Sequence, residues 1–259
     1  SASDPITQIA TKPSDTIVLQ YTGGTTGIAK GAELSNRNLI ANMLQCREFM
    51  SLKLNAQTES IVAPLPLYHI YAFTVHCLLI LSDGSENILI PNPRDIPGFV
   101  KTLKTSKFTA MVGLNTLFVA LMNHDEFKDI DFSKLKLTIS GGMALTKDTA
   151  KRWQEITGGE ISEGYGMTEA SPVVCFNPPG HVKLGTIGIA CPSTELKVVD
   201  ETFNALDAGQ IGELCLRGPQ VMAGYYQRES ETENAIDSEG WLRTGDMAII
   251  DELGYVSIV

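Results

Sequence analysis

Strand-like and helix-like segments alternate along the chain up to about residue 170, and this alternation is the strongest constraint on its fold. Short apolar runs predict strands at Thr16–Tyr21, Ser60–Ala63, Asn87–Ile90, Phe108–Gly113, Leu135–Ser140 and Glu160–Tyr165. Helices are predicted between them, from Ser35 onward and at Ala72–Leu81, Ile96–Leu103, Asn115–Asn123 and Thr146–Thr157. Strands that alternate with helices of about 10–15 residues are typical of βαβ units. We therefore predict an α/β fold with a mostly parallel sheet and flanking helices.

The first strand and the first helix carry more specific expectations. Thr16–Tyr21 is rich in β-branched and apolar residues, so we expect it to be a buried strand. Ser35 is a good N-cap for the helix that follows. The apolar residues expected on one face of this helix are Leu39, Ile40, Met43, Leu44 and Met50.

The segments change character after about residue 170, where several prolines and Gly180 predict an irregular connection. Short β-branched runs separated by Gly and Asp turns then follow at Glu195–Val199, Glu213–Arg217, Met247–Ile250 and Tyr255–Val259. They predict a small antiparallel, barrel-like β-rich subdomain packed on the α/β body. The expected organisation is a tag or linker at 1–14, the α/β body at 15–175 and the β-rich subdomain at 176–259.

The charge balance restricts which ligands the chain can bind. The 259 residues include 20 Lys and Arg against 30 Asp and Glu, a formal net charge of −10. Such a surface repels phosphate backbones, so we do not expect nucleic-acid binding. A phosphate-bearing ligand must therefore be held locally, by backbone N–H groups, a metal ion or single cations.

The cysteines and the termini favour a cytoplasmic location and an excised fragment. The five cysteines are scattered without a C-x-x-C pair, so we expect neither a zinc site nor a disulfide framework. The longest apolar run, Tyr71–Leu81, is too short to span a bilayer. The N-terminus has no signal-peptide pattern, begins without Met and looks like a cloning scar.

The Gly- and Thr-rich segment between Tyr21 and Gly31 is the first candidate binding site. It lies between a predicted strand and a predicted helix, where backbone N–H groups can converge on an anion. Its glycines allow close approach, its threonines can donate hydrogen bonds, and Lys30 adds a positive charge. Ala29 and Gly31 flank this lysine, so the segment is not a Walker A loop. A flexible surface turn is the less favoured alternative.

This loop resembles the phosphate-binding signature of the adenylate-forming enzymes, which include acyl-CoA synthetases, luciferases and peptide-synthetase adenylation domains. Ala29 stands where that superfamily usually has Pro, which leaves the lysine in place. The resemblance implies that ATP and Mg²⁺ bind here, with Lys30 as a catalytic residue and Thr22 as a metal ligand. The residues implied to bind the nucleotide are Thr22, Gly23, Gly24, Thr25, Thr26, Gly27 and Lys30.

The segment from Glu163 to Glu169 resembles a second signature of the superfamily and follows a predicted strand. The resemblance implies that Tyr165 stacks on adenine, that Thr168 contacts the α-phosphate and that Glu169 helps to hold magnesium. The chemistry of an aromatic face, a hydroxyl and a hard oxygen ligand suits those roles. Thr168 and Glu169 are thus candidate catalytic residues. The further candidates for nucleotide binding in this segment are Glu163, Gly164 and Gly166.

Two further segments agree with the resemblance. Gly141, Gly142 and Met143 follow a predicted strand and resemble a segment whose backbone lines the adenine. The run from Gly240 to Asp246 resembles a third signature, in which Asp246 accepts hydrogen bonds from the ribose hydroxyls. Ordinary turn chemistry is the alternative for both segments when each is taken alone.

The acyl end of the implied site points to a branch of the superfamily. His69 lies in a Pro-Leu-Tyr-His segment that resembles the superfamily's Pro-Leu-x-His, and Phe73 follows four residues later, where it would share a helix face. We expect His69, Phe73 and Gly166 to contact the acyl substrate, with Phe73 as a gate; plain core packing is the alternative. No Asp or Lys nearby would meet an amino group, which argues against amino-acid adenylation.

The longer segments Pro91–Gly98, Gly113–Phe118 and Val221–Tyr226 look most similar to bacterial long-chain fatty-acid–CoA ligases. The resemblance implies a ligase that joins a fatty acid to coenzyme A with ATP, through an acyl-adenylate that the thiol then cleaves. The body at 15–175 would then bind nucleotide and acyl chain. A homodimer, and peripheral association of the full-length protein with the inner face of the membrane, are left open.

The resemblance also implies that this chain is a central fragment, without the superfamily's N-terminal part and C-terminal lid, and that it is inactive alone. The alternatives are a non-catalytic nucleotide- or acyl-binding module and another acyl- or aryl-acid–CoA ligase of the superfamily. The run from Asn123 to Asp129 fits the Asn-His-x4-Asp motif of glycerolipid acyltransferases, but no companion motif accompanies it. No hydrolase motif is present.

Overall fold

Three β-sheets organise the residues that the computed structural model describes, 10–22 and 29–259. The largest sheet has seven strands, in the spatial order β4-β3-β5-β6-β7-β8-β9. In chain order these strands are β3 (Ser60–Ala63), β4 (Glu86–Leu89), β5 (Ala110–Gly113), β6 (Leu137–Ser140), β7 (Ile161–Gly166), β8 (Val173–Phe176) and β9 (Ile189–Ala190). The five strands from β3 to β7 pair in parallel, whereas β8 and β9 pair antiparallel.

Helices cover both faces of this sheet, which explains the continuous apolar character of its strands. The longer helices are α1 (Asn36–Met50), a π-helix (Phe73–Ile80) that continues directly from α2 (Ile70–Ala72), α3 (Ile96–Thr105), α4 (Asn115–Met122) and α5 (Lys147–Thr157). Val62 and Met111 pack on the face covered by α3, α4 and α5. Ile61 and Val112, each next in sequence to one of them, pack on the face covered by α1 and the π-helix. The predicted α/β class with its mostly parallel sheet is confirmed.

The start of α1 follows its sequence signals, but its buried face differs from the expected one. Ser35 is the N-cap, and its Oγ accepts a hydrogen bond from the Asn38 N–H at 3.2 Å. Ile40 and Leu44, which we expected on the buried face, are 46% and 48% exposed. Asn42 is instead fully buried, and its Nδ2 donates to the Val173 carbonyl of β8 at 2.7 Å. A polar anchor to β8, rather than apolar periodicity alone, therefore orients α1.

The first strand corrects a prediction. β1 (Thr16–Thr22) pairs only with β2 (Lys30–Ser35), in an antiparallel two-stranded sheet, and its apolar side chains Ile17, Leu19 and Tyr21 are exposed rather than buried. The segment after the Gly-rich loop returns along β1 because Ala32 and Leu34 alternate into the core. The loop therefore joins two strands, and the argument from a helix N-terminus does not hold for it.

A four-stranded antiparallel sheet forms the last part of the chain, which confirms the predicted β-rich tail. Its strands are β10 (Glu195–Val199), β11 (Gly212–Arg217), β12 (Leu242–Ile250) and β13 (Val256–Ile258). A short helix, α6 (Glu229–Ala235), precedes β12 and was not predicted. The connection expected to be irregular contains β8 and β9 of the large sheet, so sheet membership changes between Ala190 and Glu195.

None of the helices within residues 10–22 and 29–259 is both long enough and apolar enough to cross a membrane. The five cysteines are all unbridged, and four of them are buried.

Candidate active site

A cavity of about 190 Å³ lies where the parallel strands β6 and β7 end. In sheets of this kind, ligands bind at the carboxyl ends of the strands, because the connecting loops leave a crevice there. Ser140 ends β6 and Gly166 ends β7. Seven of the residues predicted from the sequence motifs line this cavity: His69, Gly141, Gly142, Gly164, Tyr165, Gly166 and Thr168.

Much of the remaining wall is apolar and comes from helices. Cys46, Phe49 and Met50 form one face of α1 against the cavity, and Val75 of the π-helix adds to it. No Asp, Glu, Lys or Arg is among the lining residues that the structure describes. The cavity therefore suits the apolar part of a ligand, with polar groups restricted to a few positions.

Two hydroxyl groups at the cavity have no protein partner. Tyr71 and Ser140 line it, and the Oη atom of Tyr71 and the Oγ atom of Ser140 are buried without a hydrogen bond among the described residues. A buried hydroxyl without a partner is destabilising by about 1–3 kcal/mol. Both groups are therefore available to a polar group of a ligand.

Gly166 is required by the close approach of two strands. A Cβ atom at this position would lie 2.2 Å from the backbone oxygen of Pro172, a contact that no side chain can relieve. The turn after β7 is tight because the Met167 N–H donates to the same oxygen at 3.0 Å. Glycine therefore allows the chain to turn back at the cavity and to place Thr168 on its wall.

Tyr165 and Asp246, two residues predicted to bind the nucleoside, contact each other although they belong to different sheets. The Tyr165 hydroxyl donates a hydrogen bond to Oδ2 of Asp246 at 2.5 Å. Burial, together with this hydrogen bond, raises the pKa of Tyr165 well above its ordinary value. The hydroxyl therefore stays protonated and fixes the Tyr165 ring, which lines the cavity, relative to the Asp246 carboxylate.

An irregularity in β12 explains how Asp246 reaches Tyr165. The register between β11 and β12 shifts between Glu213 and Cys215, and Gly245 adopts a positive φ of 76°. Bulges of this kind redirect a side chain out of the regular alternation. The Thr244 hydroxyl supports the bend, since it donates to the Leu214 carbonyl at 2.8 Å and accepts from the Asp246 N–H at 3.0 Å.

Thr168 and Glu169 lie together in a 3₁₀ turn, Thr168–Ala170, directly after β7. Glu169 is only 8% exposed, and its side-chain Oε1 accepts a hydrogen bond from the Tyr225 hydroxyl at 2.7 Å. Its backbone carbonyl accepts from the Met222 N–H at 2.8 Å. The turn is thus held from outside by the segment at 222–225.

The β1–β2 hairpin, whose strands flank the predicted phosphate loop in sequence, contacts the same turn. Thr22, at the end of β1, pairs with Lys30, at the start of β2, and both strands contact the 3₁₀ turn. The Lys30 Nζ lies 4.8 Å from the centroid of the Tyr225 ring. The other predicted loop residues lie outside the described residues: Gly23, Gly24, Thr25, Thr26 and Gly27.

Glu163 is buried beneath the loop that begins at Gly141. Its Oε1 accepts a hydrogen bond from the Leu145 N–H at 2.8 Å, so it holds the far end of this loop. Burial raises the pKa of Glu163 to about 7, although the hydrogen bond from Leu145 opposes that shift. Met143, at the tip of the loop, is 43% exposed and does not line the cavity.

The structure separates His69 from Phe73, which we expected on one helix face. His69 is the N-cap of α2, with extended backbone angles, and its Nδ1 accepts from the Tyr71 N–H at 3.3 Å. Its side chain therefore does not follow the helix surface. Phe73 does not line the cavity but lines a surface groove on the other side of the helix, with Ile17, Ile40 and Leu81.

A known protein family matches most of this chain. The sequence model described as "AMP-binding enzyme" matches residues 2–226 of this chain. This chain belongs to the AMP-binding enzyme family. A long-chain-fatty-acid–CoA ligase of Escherichia coli O157:H7 is 51% identical over 248 residues, which are 95% of this chain and 44% of that protein. A ligase of the same description from Bacillus subtilis strain 168 is 37% identical over 94% of this chain and 43% of that protein.

Solved structures of AMP-forming CoA ligases share the fold. An ATP-bound structure of MatB from Rhodopseudomonas palustris superposes with a TM-score of 0.90 at 30% identity, covering 99% of this chain and 50% of that one. A long-chain-fatty-acid–CoA ligase from Archaeoglobus fulgidus gives a TM-score of 0.79 at 27% identity, over 92% of this chain and 50% of that one. The chain thus spans about half the length, or less, of these relatives.

The residues of this AMP-binding chain are compatible with a magnesium ion that a nucleotide brings with it. Within the described residues, no three His, Cys, Asp or Glu side chains cluster as a metal site. Magnesium commonly uses only one or two carboxylates, with phosphate oxygens and water as its other ligands. Glu169 offers such a carboxylate, since only its Oε1 accepts a hydrogen bond from the described residues. Thr22 would add a hydroxyl from the adjacent hairpin.

Sequence reasoning missed several contributions to this site. Tyr71, Cys46 and Phe49 line the cavity. The spacing of Cys46 and Phe49 on α1 is a helical signal that could have identified them. Tyr225, to which the motifs assigned no role in the site, contacts both Lys30 and Glu169. No local pattern distinguishes it from the adjacent Tyr226.

Proposed function

We propose that this chain is part of a long-chain fatty-acid–CoA ligase, which makes acyl-CoA, AMP and diphosphate from a fatty acid, ATP and coenzyme A. The observation that carries the proposal is one cavity with two kinds of wall. Tyr165, Thr168 and Gly166 approach it from the sheet, and Phe49 and Met50 supply an apolar wall from α1. An adenylating enzyme needs such a junction of nucleotide and acyl sites.

The proposed reaction has two steps that share the site. A carboxylate oxygen of the fatty acid attacks the α-phosphorus of ATP, which forms an acyl-adenylate and releases diphosphate. The sulfur of coenzyme A then attacks the acyl carbonyl carbon, and AMP leaves as the thiol loses its proton. Both steps depend on positioning and on stabilisation of developing negative charge.

The nucleoside would bind between the loop at Gly141 and the Tyr165 side chain. Asp246 would accept hydrogen bonds from the ribose hydroxyls, while the Tyr165 ring stacks on adenine. The backbone at Gly142 and Met143, held from below by Glu163, would line the base. The hydrogen bond between Tyr165 and Asp246 supports this arrangement because it orients both groups before the nucleotide binds.

The phosphates would lie between the hairpin loop and the 3₁₀ turn. Lys30, the loop N–H groups and the Thr168 hydroxyl would stabilise charge on the phosphates as the diphosphate leaves. Glu169 and Thr22 would hold the Mg²⁺, whose charge supplies further stabilisation of the phosphate oxygens. These local groups explain how a chain with a net charge of −10 could accept a polyanion.

The acyl chain would occupy the apolar cavity beside His69 and Gly166. The absence of a charged side chain from the described lining favours a fatty acid over a diacid, whose second carboxylate would be left unpaired. Relatives described as long-chain-fatty-acid–CoA ligases, at 51% and 37% identity, support the same choice. We propose that Phe73 gates entry, since its helix separates the surface groove from the cavity.

The proposal describes a cytoplasmic enzyme that is longer than this chain and inactive without the remainder. The domain boundaries at 14 and 175, a homodimer and peripheral association with the membrane stay predictions for the full-length protein. A non-catalytic binding module and an aryl-acid–CoA ligase of the family are the alternatives.

A competition experiment separates these alternatives. The full-length enzyme that contains this chain is incubated with Mg-ATP and equal amounts of octanoate, palmitate, benzoate and malonate, and the adenylates are identified by mass spectrometry. We expect palmitoyl-adenylate to predominate. Benzoyl-adenylate as the main product would favour the aryl-acid alternative, and the absence of any adenylate would favour a binding module.

A further inference from the structure

Tyr225 contacts both of the charged residues that the proposed function places at the phosphates. Its hydroxyl donates to Oε1 of Glu169 at 2.7 Å, and its ring centroid lies 4.8 Å from Nζ of Lys30. The two interactions use different parts of the side chain, the O–H group for the anion and the π face for the cation. One side chain therefore fixes the position of both opposite charges.

The backbone of Tyr225 is held from two directions, so its side chain is a fixed support. Tyr225 forms an antiparallel bridge with Ala32 of β2, and the Tyr226 N–H donates to the Gly31 carbonyl at 2.8 Å. On the other side, the Tyr225 N–H donates to Oγ1 of Thr232 in α6 at 2.9 Å. The segment thus extends the β1–β2 hairpin and connects it to α6.

The two charged partners of Tyr225 do not form an ion pair with each other in the described part of the chain. In the described part of the chain, no ion pair within 4.0 Å joins Lys30 to a carboxylate. A direct Lys30–Glu169 pair would neutralise both groups and leave neither for a phosphate or a cation. Both partners instead contact Tyr225, Glu169 through the hydroxyl and Lys30 through the ring face.

We propose that Tyr225 is a positioning residue for the metal–nucleotide complex. Tyr225 presents Oε2 of Glu169 to the cation and holds Lys30 within reach of the phosphates. This inference rests on the proposed function. It assigns Tyr225 no contact with the reacting atoms, and its effect passes entirely through the two charged residues. Removal of a hydrogen bond that orients a metal-binding carboxylate typically costs about 10–100-fold in metal affinity.

The state of the hydroxyl agrees with this role. Burial, and then the hydrogen bond to Glu169, raises the pKa of Tyr225 well above its ordinary value. The hydroxyl therefore remains a donor throughout the neutral range.

Tyr225→Phe tests the hydroxyl, and Tyr226→Phe is its matched control. Tyr226 is the next residue, is 41% exposed, and among the described residues its hydroxyl accepts from Gln227 alone, at 3.1 Å. Tyr225→Leu removes the ring as well, so that Lys30 also loses its support. Melting temperatures of all variants report whether the fold is kept, and we expect Tyr225→Phe and Tyr226→Phe to match the wild type closely.

The direct readout is metal binding, which does not depend on turnover. Full-length protein is saturated with α,β-methylene-ATP, and bound Mn²⁺ is measured from the loss of its free electron paramagnetic resonance signal. We expect Tyr225→Phe to raise the Mn²⁺ concentration for half-saturation about tenfold, with Tyr226→Phe within about twofold of the wild type. Tyr225→Leu should in addition weaken binding of the metal-free analogue, which Tyr225→Phe should leave unchanged.

Several results would overturn the inference. Equal Mn²⁺ affinity in the wild type and Tyr225→Phe would show that the hydroxyl does not position Glu169. A similar loss in Tyr226→Phe would show that the segment acts only through packing. Normal Mn²⁺–nucleotide binding without adenylation of any acid would refute the proposed function while the Tyr225 comparison stays valid, and no Mn²⁺ binding by the wild type would refute both.

Discussion

The hydroxyl of Tyr165 in β7 donates to the carboxylate of Asp246 in β12, which joins the large sheet to the four-stranded antiparallel sheet. Sequence motifs predict separate roles for these residues on one nucleoside, but they do not predict this contact. It makes the geometry of the ring dependent on the β12 bulge and therefore on the neighbouring sheet.

Tyr165→Phe tests this link without removing the aromatic face. We expect the KM for ATP to rise about tenfold, because the change removes a hydrogen bond to a charged group, while kcat changes less. Tyr255→Phe is the control, since the Tyr255 hydroxyl donates to the His181 carbonyl at 2.7 Å, in contact with no predicted site residue. Equal effects of the two substitutions on the KM for ATP would contradict the proposed orienting role.

Thr168→Ala and Glu169→Gln test the proposed phosphate contacts in the full-length enzyme. Each should lower the rate of adenylation by about 10²-fold or more, as expected for the loss of one preorganised contact in the transition state. Thermal stability should change little, because Thr168 lines the cavity and glutamine keeps an oxygen that can accept from the Tyr225 hydroxyl. Glu201→Gln, at an exposed position in a turn, is the control. Unchanged kinetics of Glu169→Gln across a magnesium titration would refute the assignment.

Glu163→Gln tests the buried carboxyl beneath the Gly141 loop through the pH dependence of stability. Burial raises its pKa from the ordinary 4.5 to about 7, so between these values the folded chain binds more protons than the unfolded chain. The contribution of Glu163 to the free energy of unfolding therefore falls as pH rises from about 4.5 to 7, and stays low above that.

Glutamine keeps an oxygen that can accept from the Leu145 N–H but cannot ionise. We subtract the free energy of unfolding of the wild type from that of Glu163→Gln at each pH. We expect this difference to increase by about 2 kcal/mol between pH 5 and pH 8. Urea unfolding at both pH values measures this difference. A constant difference between the two proteins across this range would contradict the raised pKa.

Phe73→Ala tests the proposed gate. Truncation of the Phe73 side chain should widen the proposed entry path between the surface groove and the cavity. It should therefore change activity on long acyl chains more than on short ones. Leu81→Ala is the matched control, because Leu81 lines the same groove and is 61% exposed. If activity on octanoate and palmitate falls equally, together with the melting temperature, Phe73 serves only to pack the core.

The fold was predictable wherever burial imposes a regular pattern. Strands such as Ala110–Gly113 are covered on both faces, so their apolar runs and the helices between them are visible in the sequence. β1 was assigned to the interior on the same pattern, yet it pairs only with β2 and exposes Ile17 and Leu19. Local composition cannot tell a strand of the central sheet from a strand of a surface hairpin.

The candidate site was predictable where a residue's role depends on local motifs. Tyr165, Thr168 and Gly141 were named from such motifs, and the structure brings them to one cavity. Tyr225 was not, because its importance comes from pairing with β2, which lies almost two hundred residues earlier in the chain. Contacts of this range depend on sheet geometry, which single-sequence patterns do not encode.

ATP–pyrophosphate exchange with palmitate tests the central claim most directly, with this 259-residue chain measured beside the full-length enzyme. The account predicts palmitate-dependent exchange by the full-length enzyme and almost none by this chain alone. The account assigns a cation at the α-phosphate to the remainder of the full-length enzyme, and its absence should affect rate more than binding. Exchange by the full-length enzyme that is absent, or that does not depend on a fatty acid, would contradict the assignment. A rate for the chain alone close to that of the full-length enzyme would contradict its description as an incomplete active site.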